Sequence, residues 1–87
     1  MKVRAIIVDD EQHCIETLTW QVGKYVPEIE ILEAFNSPAE AMAYLTTHTV
    51  DLVFLDVEMP EMSGFDLLNA LPEIDFEVIF ATSHDEF

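Results

Sequence analysis

The chain has 87 residues and is 51% hydrophobic, which suits one small globular domain and excludes a disordered acidic tail. Its 18 Asp and Glu face only three Lys and Arg, for a formal net charge of −15; this excludes direct nucleic-acid binding by the segment and favours cations and basic partners. Cys14 is the single cysteine, so an internal disulfide is excluded and a thiol–metal cluster is unsupported. No apolar run is long enough to span a bilayer. The run at residues 5–8 is too short for an export signal and ends in Asp9-Asp10-Glu11. The expected location is the cytoplasm.

Residues 3–8 form a β-branched run that predicts a buried central strand. Residues 11–25 follow as a helix, with Ile15, Leu18, Val22 and Tyr25 on one apolar stripe. Asp9 or Asp10 is positioned to cap it, and Glu11 suits its positive end. Trp20 falls opposite the stripe, among Glu16, Gln21 and Lys24, as an isolated exposed ring or a contact surface. Pro27 stops the helix. A second strand is expected at residues 30–35. Ser37-Pro38-Ala39-Glu40 is a helix-start signature, with Ser37 as N-cap, Pro38 in the first turn and Glu40 closing a capping box. That second helix runs to about Thr47, with Ala41, Met42 and Leu45 inward. Residues 51–55 form a third strand, an apolar run that ends abruptly at Asp56. Gly64 ends the next loop. Phe65, Leu67, Leu68 and Leu71 then make a short third helix, stopped by Pro72. A fourth strand covers residues 76–81, with Val78, Ile79 and Phe80 buried, and Thr82-Ser83-His84 leaves it.

Strands alternating with helices predict an α/β fold with a parallel sheet, right-handed crossovers and helices on both faces. In the flavodoxin-like order 2-1-3-4 the first and third strands are neighbours, and ligands sit beyond the strand ends where the order reverses. Asp9-Asp10, Asp56 and Thr82-Ser83 then share one edge. Three carboxylates in one space call for a cation, and Mg²⁺, a hard ion that takes oxygen ligands, fits. The chemistry implied is phosphoryl transfer with a carboxylate nucleophile. Plainer roles stay open for several of these residues. Asp10 serves equally as a helix N-cap, Asp56 as a turn residue, Thr82-Ser83 as loop hydroxyls, and Glu58 and Glu61 as a solvated acidic rim. His13, His48 and His84 share no metal-ligand spacing. Met42, Met59 and Met62 read as packing residues.

Val8-Asp9-Asp10-Glu11, Asp56-Val57-Glu58-Met59-Pro60 with Gly64, and Ile79-Phe80-Ala81-Thr82-Ser83 together resemble the receiver domain of bacterial two-component response regulators. Residues 78–87 further resemble the branch whose receivers precede LytTR-type DNA-binding domains. The resemblance spans the whole chain. It implies Asp56 as phosphoacceptor, Asp10 as direct Mg²⁺ ligand and Asp9 as the acid holding metal-bound water. Glu58 would give its backbone carbonyl to the metal, and Thr82 would be the switch hydroxyl. It implies a histidine kinase or a small acyl phosphate as donor. Receivers of this family have five strands and five helices. Four strands and three helices over residues 1–87 therefore imply a truncated product or a piece of a longer chain, without the fourth helix, fifth strand and fifth helix. The family's phosphate-binding Lys and aromatic switch residue would be missing with them. The open fourth-strand edge predicts self-association. Two other functions fit the same residues. One is a Mg²⁺-dependent phosphohydrolase with Asp56 as nucleophile and Glu58 as acid. The other is an acidic metal-binding or interaction module without phosphotransfer.

Overall fold

A computed structural model describes residues 2–81. Its elements run β1 (Val3–Val8), α1 (Gln12–Tyr25), β2 (Ile29–Phe35), α2 (Pro38–Thr47), β3 (Leu52–Asp56), α3 (Gly64–Ala70) and β4 (Glu77–Ala81). All strand pairings are parallel, in one sheet of order β2-β1-β3-β4. The expected fold class and strand order hold, with boundaries shifted by a residue or so.

The continuous apolar runs of β1 and β3 follow from burial on both faces of the sheet. Side chains alternate along a strand. Ala5, Ile7, Leu52 and Phe54 accordingly pack with Ile15 and Val22 of α1. Ile6, Val8, Val53 and Leu55 pack on the opposite face with Ala41 of α2, Leu67 of α3 and Leu71, the C-cap of α3. Each fully buried Ile, Leu or Val contributes roughly 1.5–3 kcal/mol. These two clusters hold the ends of β1 and β3 side by side. Met59 is buried and Met42 and Met62 pack against the second cluster, as packing residues.

Several expectations need correction. Neither Asp9 nor Asp10 caps α1: Glu11 is the N-cap and makes no side-chain capping bond. The reason is that Asp9 is engaged one step earlier, accepting from the Glu11 N–H at 2.9 Å. Ser37 does cap α2, accepting from the Glu40 N–H. A full reciprocal capping box occurs at α3, between Ser63 and Asp66, where none was expected. Gly64 is the first residue of α3 rather than the end of the loop. Tyr25 is exposed, not part of the buried stripe. It lies at the last turn, meets Trp20 edge-on at 6.3 Å, and Lys24 Nζ sits over both rings. Trp20 is exposed as expected. Phe65, at the start of the third helix, is 53% exposed and rests on Phe80, the ring centroids 4.9 Å apart. Ile79 and Phe80 were expected buried and are 47% and 42% exposed. They lie on the last strand of the sheet, so nothing among the described residues covers its outer side.

Candidate functional site

The reversal of strand order creates the site. From β1 the chain crosses to β2 on one side, then to β3 on the other. A crevice therefore opens at the carboxyl ends of β1 and β3. Val8 pairs with Leu55 in the ladder, so Asp9 leaves β1 beside Asp56. Each of Asp9, Asp10 and Asp56 offers a carboxylate oxygen to one space, the three atoms lying within 4.8 Å of one another. Asp56 is only 2% exposed, Asp9 is also buried, and Asp10 is half-buried.

Two backbone amides orient the buried pair. The Glu11 N–H donates to Asp9 Oδ1 at 2.9 Å, and the Glu58 N–H to Asp56 Oδ1 at 3.3 Å. Neither amide cancels the cost of the location. Burial, then the neighbouring Asp9 charge, pushes the Asp56 carboxyl up to about 7. Burial and the Asp10 charge push Asp9 upward as well, against the lowering from the Glu11 amide. No fixed cation among the described residues relieves this. Lys2 donates to the Pro27 carbonyl, Arg4 pairs with Asp51 and donates to Thr49, and Lys24 stands on the Trp20 ring. All three permanent cations of the chain are thus engaged elsewhere.

The donor set fits Mg²⁺: buried or half-buried carboxylate oxygens, like charges in close company, and no cation among the described residues placed to offset them. Asp9, Asp10 and Asp56 would hold the ion.

Gly64 packs tightly against the end of β3. Its N–H donates to the Val57 carbonyl at 2.8 Å. A Cβ placed there would meet the Asp56 carbonyl oxygen at 2.6 Å and Leu55 Cγ at 3.0 Å. Only a residue without Cβ lets the start of α3 come this close to the end of β3.

Comparison with known proteins agrees with this geometry. Residues 5–87 match the family model of the response regulator receiver domain. The chain belongs to that family. This receiver is 33% identical over 87 residues to the sensory transduction protein LytT of Enterococcus faecalis, covering 98% of this chain and 36% of that one. It is 40% identical over 82 residues to the heme response regulator HssR of Staphylococcus saprophyticus, covering 92% and 35%. The receiver thus spans about a third of these relatives' length. The likeness to LytT accords with the LytTR-type branch expected from the closing residues. Among solved structures, it is similar to the complex of the response regulator TrrA with the histidine kinase ThkA, with a TM-score of 0.78 and 30% identity, covering 100% of this chain and 73% of that one.

The structure therefore brings together Asp9, Asp10 and Asp56 of the receiver. It places Glu58 two residues beyond Asp56, exposed, with its amide turned to the Asp56 carboxylate. Thr82, Ser83 and His84 lie outside the described residues. No helix among the described residues is long and apolar enough to cross a membrane. Cys14 was not singled out as a site residue, yet it lies close by. Burial and the acceptor Glu11 push its thiol up to about 11. His13 and Cys14 line a cavity of about 370 Å³ that Asp9 also lines. No spacing rule for cysteine or histidine pairs would have found this.

Proposed function

We propose that this receiver is the phosphoacceptor module of a two-component response regulator. The supporting observation is the convergence of three carboxylates at the strand ends, Asp56 and Asp9 buried, with every fixed cation of the chain engaged elsewhere. An Asp56 oxygen attacks the phosphorus of a histidine kinase's phosphohistidine or of a small acyl phosphate. The phosphorus–nitrogen or phosphorus–oxygen bond to the donor breaks, and its electron pair leaves with the imidazole or the carboxylate. An acyl phosphate forms on Asp56. Asp9 and Asp10, with Asp56 and the Glu58 backbone carbonyl, would hold Mg²⁺. When bound, that ion supplies the positive charge that offsets repulsion between Asp56 and the incoming phosphoryl oxygens. The Glu58 and Glu11 amides keep the buried carboxylates oriented. The switch is assigned to Thr82. In sequence it directly follows Ala81, which pairs with Asp56 across the ladder. A kinase donor is supported by the solved complex of a similar regulator with its kinase. A cytoplasmic location and an output in transcription, as in LytTR-type regulators, follow from the same reading.

The test separates a receiver from a phosphohydrolase. Incubation with Mg²⁺ and acetyl phosphate should load one phosphoryl group per chain and stop. Sustained release of phosphate from a simple phosphate monoester, blocked by Asp56→Asn, would overturn the receiver reading.

The exposed edge of β4 supports self-association as a second property of the chain. Among the described residues β4 pairs only with β3, and Ile79, Phe80 and Phe65 present apolar surface beside that edge. Such an edge invites another strand. The net charge of −15 opposes the contact and is screened by salt. Sedimentation at micromolar concentration should therefore show association that strengthens with ionic strength and is lost in Ile79→Lys. A monomer at every salt concentration would contradict it.

A further inference from the structure

Beside the oxygen-only trio lies a second group of donors of a different chemical kind. Glu11, His13 and Cys14 occupy the N-cap and first turn of α1, and one donor atom of each lies within 4.8 Å of the other two. Cys14 Sγ is 3.5 Å from Glu11 Oε1 and 3.7 Å from His13 Nε2. Bonds of about 2.3 Å from an ion to sulfur and about 2.0–2.1 Å to nitrogen or oxygen give tetrahedral edges of about 3.5 Å. Both measured separations are therefore close to those a tetrahedral ion requires.

The donor set selects the ion. Mg²⁺ takes oxygen ligands and keeps its waters. A thiol, an imidazole and a single carboxylate suit Zn²⁺. Access fits too, because Glu11 and His13 are exposed and Cys14 is half-buried. The adjoining cavity of about 370 Å³, lined by His13, Cys14, Asp9 and Thr17, leaves room for a water or small ligand in the fourth position. Three protein ligands and one open position is the arrangement of accessible zinc sites.

We propose that Glu11, His13 and Cys14 form a binding site for Zn²⁺ or a similarly thiophilic divalent ion, separate from the carboxylate trio. On binding, the Cys14 S–H bond breaks, the proton goes to solvent, and the sulfur bonds to the metal. No electron is transferred. The proposal does not rest on the phosphoacceptor reading.

Co²⁺ added to the reduced chain is the probe, read by the thiolate-to-cobalt charge-transfer band in the near ultraviolet. The band should saturate at one ion per chain and be displaced by Zn²⁺. Cys14→Ser should abolish it. His13→Ala and Glu11→Gln should each weaken binding by roughly tenfold or more, while Asp10→Ala leaves the band in place. As a measurement that needs no cysteine variant, Zn²⁺ should shield Cys14 from alkylation in the parent and not in His13→Ala. Absence of the band, its loss in Asp10→Ala, affinity unchanged from the parent in both His13→Ala and Glu11→Gln, or alkylation indifferent to Zn²⁺ would each overturn the proposal.

Discussion

Asp56→Asn, in the absence of divalent ions, is expected to raise the stability of the chain at pH 8. The buried Asp56 carboxyl titrates at about 7 in the folded chain, because burial and the Asp9 charge disfavour its ionised form. In the unfolded chain it returns to its ordinary value of 3.8. Below that value both states hold the proton, and the group favours the fold fully. Between the two values the unfolded chain has released the proton and the folded chain has not, so stability falls as pH rises. Above about 7 the fold must carry the charge beside Asp9 and Asp10. Asp9 is shifted in the same direction and adds to the slope. Each tenfold difference in proton affinity is worth about 1.4 kcal/mol, so Asp56 accounts for a few kcal/mol at most. Melting temperatures of the metal-free parent should therefore decline from pH 5 to pH 8, and Mg²⁺ at pH 8 should restore them. Asp56→Asn should flatten the decline and gain nothing from Mg²⁺ comparable to the parent. An Asn variant less stable than the parent at pH 8 without metal would show that the three acids do not repel one another as described.

The second large effect is opposite in sign at the two glycines. At Gly64 an added Cβ meets the Asp56 carbonyl oxygen at 2.6 Å and the Leu55 side chain at 3.0 Å. The oxygen is backbone within a buried strand and cannot step aside cheaply. Gly64→Ala should cost about 1–3 kcal/mol, lowering the melting temperature by roughly 5–20 °C. It should also displace Asp56, whose carbonyl it strikes. At Gly23, inside α1, an added Cβ meets nothing within 4 Å. There Gly→Ala should stabilise the helix by roughly 0.5–1 kcal/mol. Thermal melts of the two variants in one buffer check both. A Gly64→Ala protein as stable as the parent would mean that α3 does not rest on the end of β3 as closely as it does here.

The sequence shows those parts of the fold that burial dictates on both sides. The runs Ala5 to Val8 and Leu52 to Leu55 have no polar residue, as burial on both faces requires, and Asp9, Asp10 and Asp56 mark where those strands leave the sheet. That was enough to place three acids at one edge. It was not enough where one local pattern serves two settings. Ile79 and Phe80 look like Val53 and Leu55 in sequence, yet they sit on an edge strand, and strand position is a property of the whole sheet. Phe65 and Tyr25 kept helical spacing with buried neighbours but fall where no other element among the described residues buries them. Gly64 read as a loop glycine because the sequence does not reveal how closely β3 passes. The Glu11, His13 and Cys14 cluster was hidden for a related reason: its donors converge through side-chain directions on a helix turn, while their spacing matches no familiar metal motif.

If Asp9, Asp10 and Asp56 act as one site that readies Asp56 for a phosphoryl group, labelling must depend on these acids and on Mg²⁺. Intact mass of the chain after incubation with acetyl phosphate, with and without Mg²⁺, tests this most directly. The parent should gain the mass of one phosphoryl group only when Mg²⁺ is present, and Asp56→Asn and Asp10→Ala should gain none. Equal labelling without Mg²⁺, or labelling that survives Asp56→Asn, would contradict it.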